Sequence, residues 1–172
     1  MNPVMMVAGL TLVGLAASAQ VQVQVQVNVK GGAELLQKEA RMTARGAFDV
    51  KVIPQPQDDQ AGGPFGRLFL DKQFHGDLQA TSHGQMLAAM SAVKGSGGYV
   101  AMELVSGTLH GKRGSFVLQH KGTMGGGVYV MHVTVVPDSG TDALAGIAGT
   151  MTILIDGSKH SYEFEYAIAK AP

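Results

Sequence analysis

Six histidines, at positions 75, 83, 110, 120, 132 and 160, and one carboxylate set among apolar neighbours, Glu103, are the side chains best suited to chemistry. Imidazole changes charge near neutral pH and binds metals, so the histidines raise acid–base and metal readings together. None stands in His-x-x-x-His or His-Glu-x-x-His spacing, and ligands on strands would need i,i+2 or cross-strand pairing, so neither a metal nor a cofactor is expected. His75 and Asp77 form the i,i+2 His/carboxylate pair. They share a face if the strand runs through Gly76, which would orient an acid–base histidine; a strand-end hydrogen bond is the plainer alternative. Glu103 lies between Met102 and Leu104 and alternates with Tyr99, Ala101 and Val105. On an inward face, burial would raise its pKa and make it a proton donor or acceptor; on an outward face it is a solvated charge. Lys72, between Leu70 and Phe74, poses the same question, and a buried Lys–Glu pair would be a structural ion pair. The chain has no Cys, hence no disulfide, thiolate nucleophile or iron–sulfur cluster. It has no Gly-x-Ser-x-Gly elbow and no phosphate-binding glycine loop.

These residues sit on segments that read as strands. Alternating or β-rich runs cover Met42–Ile53, Arg67–His75, Asp77–Val93, Tyr99–His110, Ser115–Thr123, Val128–Val136, Gly149–Ile155 and His160–Ile168. Turn residues separate them, including Gly95-Ser96-Gly97-Gly98, Gly111-Lys112-Arg113-Gly114 and Asp156-Gly157. Asp-Gly between apolar runs predicts a type I′ hairpin, whose two central residues need positive φ. Short connections make neighbours antiparallel, and closing such a meander removes its exposed edges. Gln85–Val93 is rich in Met, Ala and Leu and fits a helix as well as a strand; strand is the preferred reading. Gly84 before it would be a bulge or the start of a helical turn.

The 172 residues suit one domain, and 13 Lys+Arg against 13 Asp+Glu give no electrostatic case for nucleic acid or an anionic membrane. With 45% hydrophobic and 15% charged residues the composition is globular. Val4–Ala17 is apolar and uncharged and is followed by Ala17-Ser18-Ala19, a signal peptide over residues 1–19 with a small-x-small cleavage site. It is too short for a spanning helix, so no stable membrane anchor is expected after cleavage, and the mature protein is expected to be periplasmic or secreted. Residues 20–40 form a low-complexity leader, Gln-Val repeats ending at Lys30, then Gly31-Gly32 and a short helical pattern over Glu34–Ala40. The repeat reads as a disordered leader, or as a strand that augments another sheet. The folded domain is then residues 41–172.

Asp71-Lys72-Gln73-Phe74-His75-Gly76-Asp77-Leu78, Gly98-Tyr99-Val100-Ala101-Met102-Glu103, Gly114-Ser115-Phe116-Val117-Leu118-Gln119-His120 and Lys159-His160-Ser161-Tyr162-Glu163-Phe164 carry a resemblance to the bacterial domain of unknown function 3224 family. It covers nearly all of residues 41–168. The resemblance implies an all-β fold, a closed eight-stranded antiparallel barrel of the allene oxide cyclase barrel-like group. Relatives in that group bind apolar or phenolic molecules inside the barrel and often form trimers, so a homo-oligomer is an expectation. The plant cyclase site uses a Cys and a Glu; with no Cys here, its chemistry does not transfer.

A barrel of eight strands either fills with side chains or holds one small ligand. His160, Tyr162, Phe164, Tyr166 and Ile168 share one strand face, and Phe116, Leu118 and His120 another. If these point inward they give an apolar lumen with a few polar groups, the make-up of a ligand site. The expected ligand-binding residues are Lys72, Tyr99, Glu103, Phe116, His120, Tyr162 and Phe164, with Glu103 and His120 the candidates for catalysis. The expected function is binding of a small apolar or aromatic molecule. A cyclase or isomerase working by proton transfer, or a solid-cored structural or interaction protein, are the alternatives.

Overall fold

The protein is described here by a computed structural model covering residues 41–56 and 63–169. The signal segment, the Gln-Val leader and the short helical pattern lie outside the described residues.

Eight strands follow one another: β1 (Met42–Gln55), β2 (Phe65–Gly76), β3 (Leu78–Met90), β4 (Gly97–Leu109), β5 (Lys112–Gly125), β6 (Val128–Val135), β7 (Ile147–Asp156) and β8 (Lys159–Ile168). Each pairs antiparallel with the next and β8 closes on β1, giving a sealed barrel in sequence order. One 3₁₀ turn, Asp142–Leu144, interrupts the β6–β7 connection. The expected eight-stranded antiparallel barrel is therefore the fold.

Local differences have local causes. The ambiguous Gln85–Val93 run is strand as far as Met90, because it is laddered on both sides, by β2 and by β4. Gly84 is no bulge: the β3–β4 register runs through it unbroken, Gly84 opposite Glu103. At the last hairpin the two turn residues are Gly157 and Ser158, and Gly157 (φ 59°) supplies the left-handed position. That is a II′ pattern, with glycine first, rather than the I′ turn that Asp-Gly suggested. A I′ geometry occurs instead at His110-Gly111, where φ is 45° and 77°. The β2 ladder ends at Gly76 (φ 97°), so Asp77 turns away from the face of His75. His75 contacts Asp49 at 3.2 Å instead, and the His75–Asp77 pair does not form.

Side chains alternate in and out along each strand, as the period of two requires. The two ends of the barrel differ. At the end carrying the β2–β3 and β4–β5 turns, the lumen is filled by its own side chains. Phe116 stacks on Phe164 (ring centroids 5.6 Å), Phe164 on Tyr166 (5.2 Å), and Phe74 meets Tyr162 edge-on (5.6 Å). Leu144, brought over this end by the 3₁₀ turn, is buried against Gly114, where a Cβ would stand 3.1 Å from it. Burying one such apolar side chain stabilises by about 1.5–3 kcal/mol.

Among the described residues, the other end is not filled by side chains. Val52, Met90, Tyr129 and Ile155 stand at inward positions of their strands yet remain 46–54% exposed. Below them Met86, Met124, Met131 and Ile153 are half-buried.

Candidate functional site

Between the packed end and the open end lie the four buried polar side chains of the described residues: Lys72, Ser82, Glu103 and His120. They come from four consecutive strands. Lys72 is directly opposite Ser82 across β2–β3. Ser82 faces Val105, two positions from Glu103, and Glu103 faces Leu118, two positions from His120. The tilt of barrel strands turns this stepwise register into one cluster.

Glu103, fully buried, is its centre. Lys72 Nζ donates to Glu103 Oε2 at 2.7 Å, and the Ser82 hydroxyl donates to Oε1. His120 Nε2 lies 2.9 Å from Oε2, an ion-pair contact with Glu103 that falls outside strict hydrogen-bond geometry. Lys72 Nζ also sits 5.1 Å from the Phe48 ring centroid and 5.8 Å from that of Phe74. Such cation–π contacts partly replace lost hydration.

Burial drives the Glu103 pKa upward, but the adjoining His120 ring and the Lys72 ammonium outweigh it and hold the carboxyl down at about 2. The sequence reading expected the opposite direction from burial alone. The correction is electrostatic: a counter-charge in contact inside a low dielectric favours the ionised form. Glu103 is thus a fixed carboxylate, a hydrogen-bond acceptor that does not take up a proton near neutral pH.

Glycines make room for this arrangement. A Cβ at Gly84 would come 2.9 Å from the Met102 carbonyl oxygen and 3.2 Å from Glu103 Cβ. A Cβ at Gly122, the next inward position after His120 toward the open end, would overlap the Tyr99 ring. Tyr99 therefore lies over the backbone of β5 on the open side of His120. Its hydroxyl accepts a hydrogen bond from Tyr129 at 3.1 Å, and burial, reinforced by Tyr129 and the Glu103 charge, pushes its pKa up, so it stays protonated.

Of the seven residues read from the sequence as ligand-binding, Lys72, Glu103 and His120 are brought into contact and Tyr99 lies beside them. Phe116, Tyr162 and Phe164 are in the packed end, each 2% exposed or less. The Tyr162 hydroxyl accepts from Leu78 N (2.9 Å) and donates to His75 O (3.1 Å), tying strands together. Ser82 was missed. It shares the inward parity of Leu78 and Ala80, the same signal that drew attention to Lys72 and Glu103. Among the described residues no group of three or more His, Asp or Glu side chains is placed to hold a metal.

Outside the barrel, Leu87, Val100 and Val130 line an external groove of about 480 Å³. It belongs to the outer wall.

Fold and site define a closed eight-stranded antiparallel barrel, packed at one end, with a buried ionic cluster beneath an open apolar end. The family described as protein of unknown function (DUF3224) matches residues 44–166, and this chain belongs to it. A crystal structure of a protein of unknown function from that family, from Shewanella oneidensis MR-1, is 48% identical and superposes with a TM-score of 0.72. The alignment covers 77% of this chain and 100% of that one. No curated protein matches.

Proposed function

We propose that this protein is an exported barrel that binds one small apolar or aromatic molecule in the open end of its lumen, without turning it over. One observation carries the reading: half-exposed inward apolar side chains stand above a buried polar floor of Lys72, Ser82, Glu103 and His120. Apolar walls with a few convergent polar groups are the usual make-up of a small-molecule site. Met86, Met124 and Met131 suit such walls, because unbranched thioether side chains re-pack around differing shapes. Export is inferred from the Val4–Ala17 run and the Ala17-Ser18-Ala19 pattern.

Two physical arguments favour this over its rivals. A cyclase or isomerase needs an acid or base whose pKa lies near the working pH. Glu103, held at about 2, is a weak base and has no proton to donate. A purely structural barrel leaves the ionic floor without a purpose, since well-packed apolar residues commonly match or better a buried ion pair in stability.

Native mass spectrometry of the protein purified from its own compartment tests the reading. The expected spectrum shows a small-molecule mass excess that denaturation removes and that Met131→Trp, which fills the open end, abolishes. The mature mass is expected to begin near Gln20. Bare polypeptide mass in both proteins, with no uptake of added apolar probes, would overturn the proposal.

A further inference from the structure

We infer that residues 20–30 of the same chain add a strand to the free edge of β6, in the seam between β6 and β7, with their valines toward the lumen and their amide side chains outward. Such a strand completes the barrel wall and requires no bound molecule.

The β6–β7 ladder is the shortest in the barrel. β6 pairs with β5 along its whole length, from Val128 opposite Gly125 to Val135 opposite Leu118. With β7 it pairs only at Val133 and Thr134, opposite Met151 and Thr150. Among the described residues, Val128–His132 of β6 and Thr152–Asp156 of β7 therefore have no strand partner on the sides that face each other. Free edges in stable proteins usually carry Lys, Pro or a bulge that deters pairing. Val128-Tyr129-Val130-Met131 carries no charge and no Pro, and its register with β5 is unbroken. Val128, Tyr129 and Val130 are exposed, as are Leu154 and Ile155 across the seam. An apolar edge of this kind is a template for one more strand.

Residues 20–30 have the pattern this edge asks for. Inward positions beside the seam are apolar, Tyr129 and Met131 on β6 and Ile153 and Ile155 on β7, while outward positions meet water. From Val21 to Val29 every odd position is Val, and from Gln20 to Asn28 every even one is Gln or Asn, so an extended chain presents one face to each side. β-branched Val also favours the strand conformation. The tether is long enough. Arg41, where the leader joins the domain, lines a cleft of about 340 Å³ with Val135, Pro137 and Ala148, at the packed-end foot of the same seam. From Val135 to Val128 β6 runs about 23 Å at the usual strand rise. Residues 31–40 reach about 33 Å when extended, so residues 20–30 can lie along the whole free edge. A tether of this length holds the segment at a roughly millimolar effective concentration, which favours the chain's own leader over that of a second copy.

Amide hydrogen exchange followed by NMR, on the full chain purified from its own compartment, tests this. The seam-facing amides of Val128–His132 should be protected, and should exchange about tenfold faster once the added strand is lost. Val25→Lys, which puts a charge on the apolar face, and deletion of residues 20–30 should each produce that loss. Gln24→Lys, on the outward face, should leave the protection as it is. Amides of β3 and β4, laddered to each other from end to end, are the internal reference and should not change. All three changes lie outside the folded domain, so the comparison does not depend on how a core variant folds. Light scattering should give the same number of subunits for the native and shortened chains. Equal exchange in the native, Val25→Lys and shortened proteins, or a purified chain that begins beyond residue 30, would overturn the added strand. Gln24→Lys as disruptive as Val25→Lys would overturn the assignment of faces. An assembly that dissociates on the deletion would give the edge to the leader of a second copy and overturn pairing within one chain.

Discussion

The buried Lys72–Glu103 pair makes a quantitative demand on stability. At 2.7 Å and an effective dielectric constant of about 20, the Coulomb attraction is about 6 kcal/mol, offset by the cost of desolvating both ions. Lys72→Met leaves Glu103 charged but still held by Ser82 and beside His120. Glu103→Leu removes the partner of all three and leaves the Lys72 ammonium buried among phenyl rings. Breaking a buried pair from one side costs about 3–5 kcal/mol, so Lys72→Met should fall at the low end and Glu103→Leu at the high end or beyond. The double variant carries no orphaned charge and should be more stable than the Glu103→Leu protein, with a coupling energy of about 3 kcal/mol. For a domain of this size the single losses correspond to roughly 10–20 °C in Tm. Urea unfolding at pH 7 followed by circular dichroism gives all four corners of the cycle; the chain has no Trp for the usual fluorescence assay. If the two single losses add to within about 0.5 kcal/mol in the double variant, the residues are not coupled and the electrostatic account of the floor is wrong.

Acid should act on the same group. Because the Glu103 pKa falls from 4.5 unfolded to about 2 folded, its contribution is fully present above about pH 4.5 and is lost as pH drops toward 2. The shift corresponds to about 3 kcal/mol, and unfolding free energies measured from pH 6 to 2 should show a limb that Glu103→Gln lacks. Gly84→Ala should destabilise by about 1–3 kcal/mol, since its Cβ would press on the Met102 carbonyl and Glu103; an unchanged urea midpoint would remove the spacing argument. Tyr162→Phe should cost about 1–3 kcal/mol by leaving the buried Leu78 N–H without its acceptor, with faster amide exchange at Leu78 as the local readout. At position 110, where φ is 45°, Val should be at least about 1 kcal/mol worse than Asn, because a β-branched residue resists the left-handed region; equal thermal midpoints would argue against the I′ turn.

Much of the candidate site was legible as parity and little of it as proximity. Alternation put Glu103 on one face with Tyr99 and Ala101, and His120 on one face with Phe116 and Leu118, without saying that both faces are interior. Burial alone suggested a raised Glu103 pKa, because the partners that reverse the sign lie 31 residues back at Lys72 and on the neighbouring strand at His120. The aromatic residues Phe116, Tyr162 and Phe164 look the same in sequence whether they line a cavity or fill it. Leu144, arriving from a connection that carries no strand pattern, helps close their end.

Strand positions, hairpin breaks and the residues sharing each face follow from the sequence alone, because side-chain alternation and turn chemistry depend on neighbours a few residues apart. Three things rested on the closed sheet: the stepwise register that gathers Lys72, Ser82, Glu103 and His120, the counter-charges that fix Glu103 as a carboxylate, and the contrast between a packed end and an open one. Each depends on which strands meet and how far they are offset. Pairing across tens of residues sets that offset, and no local pattern encodes it.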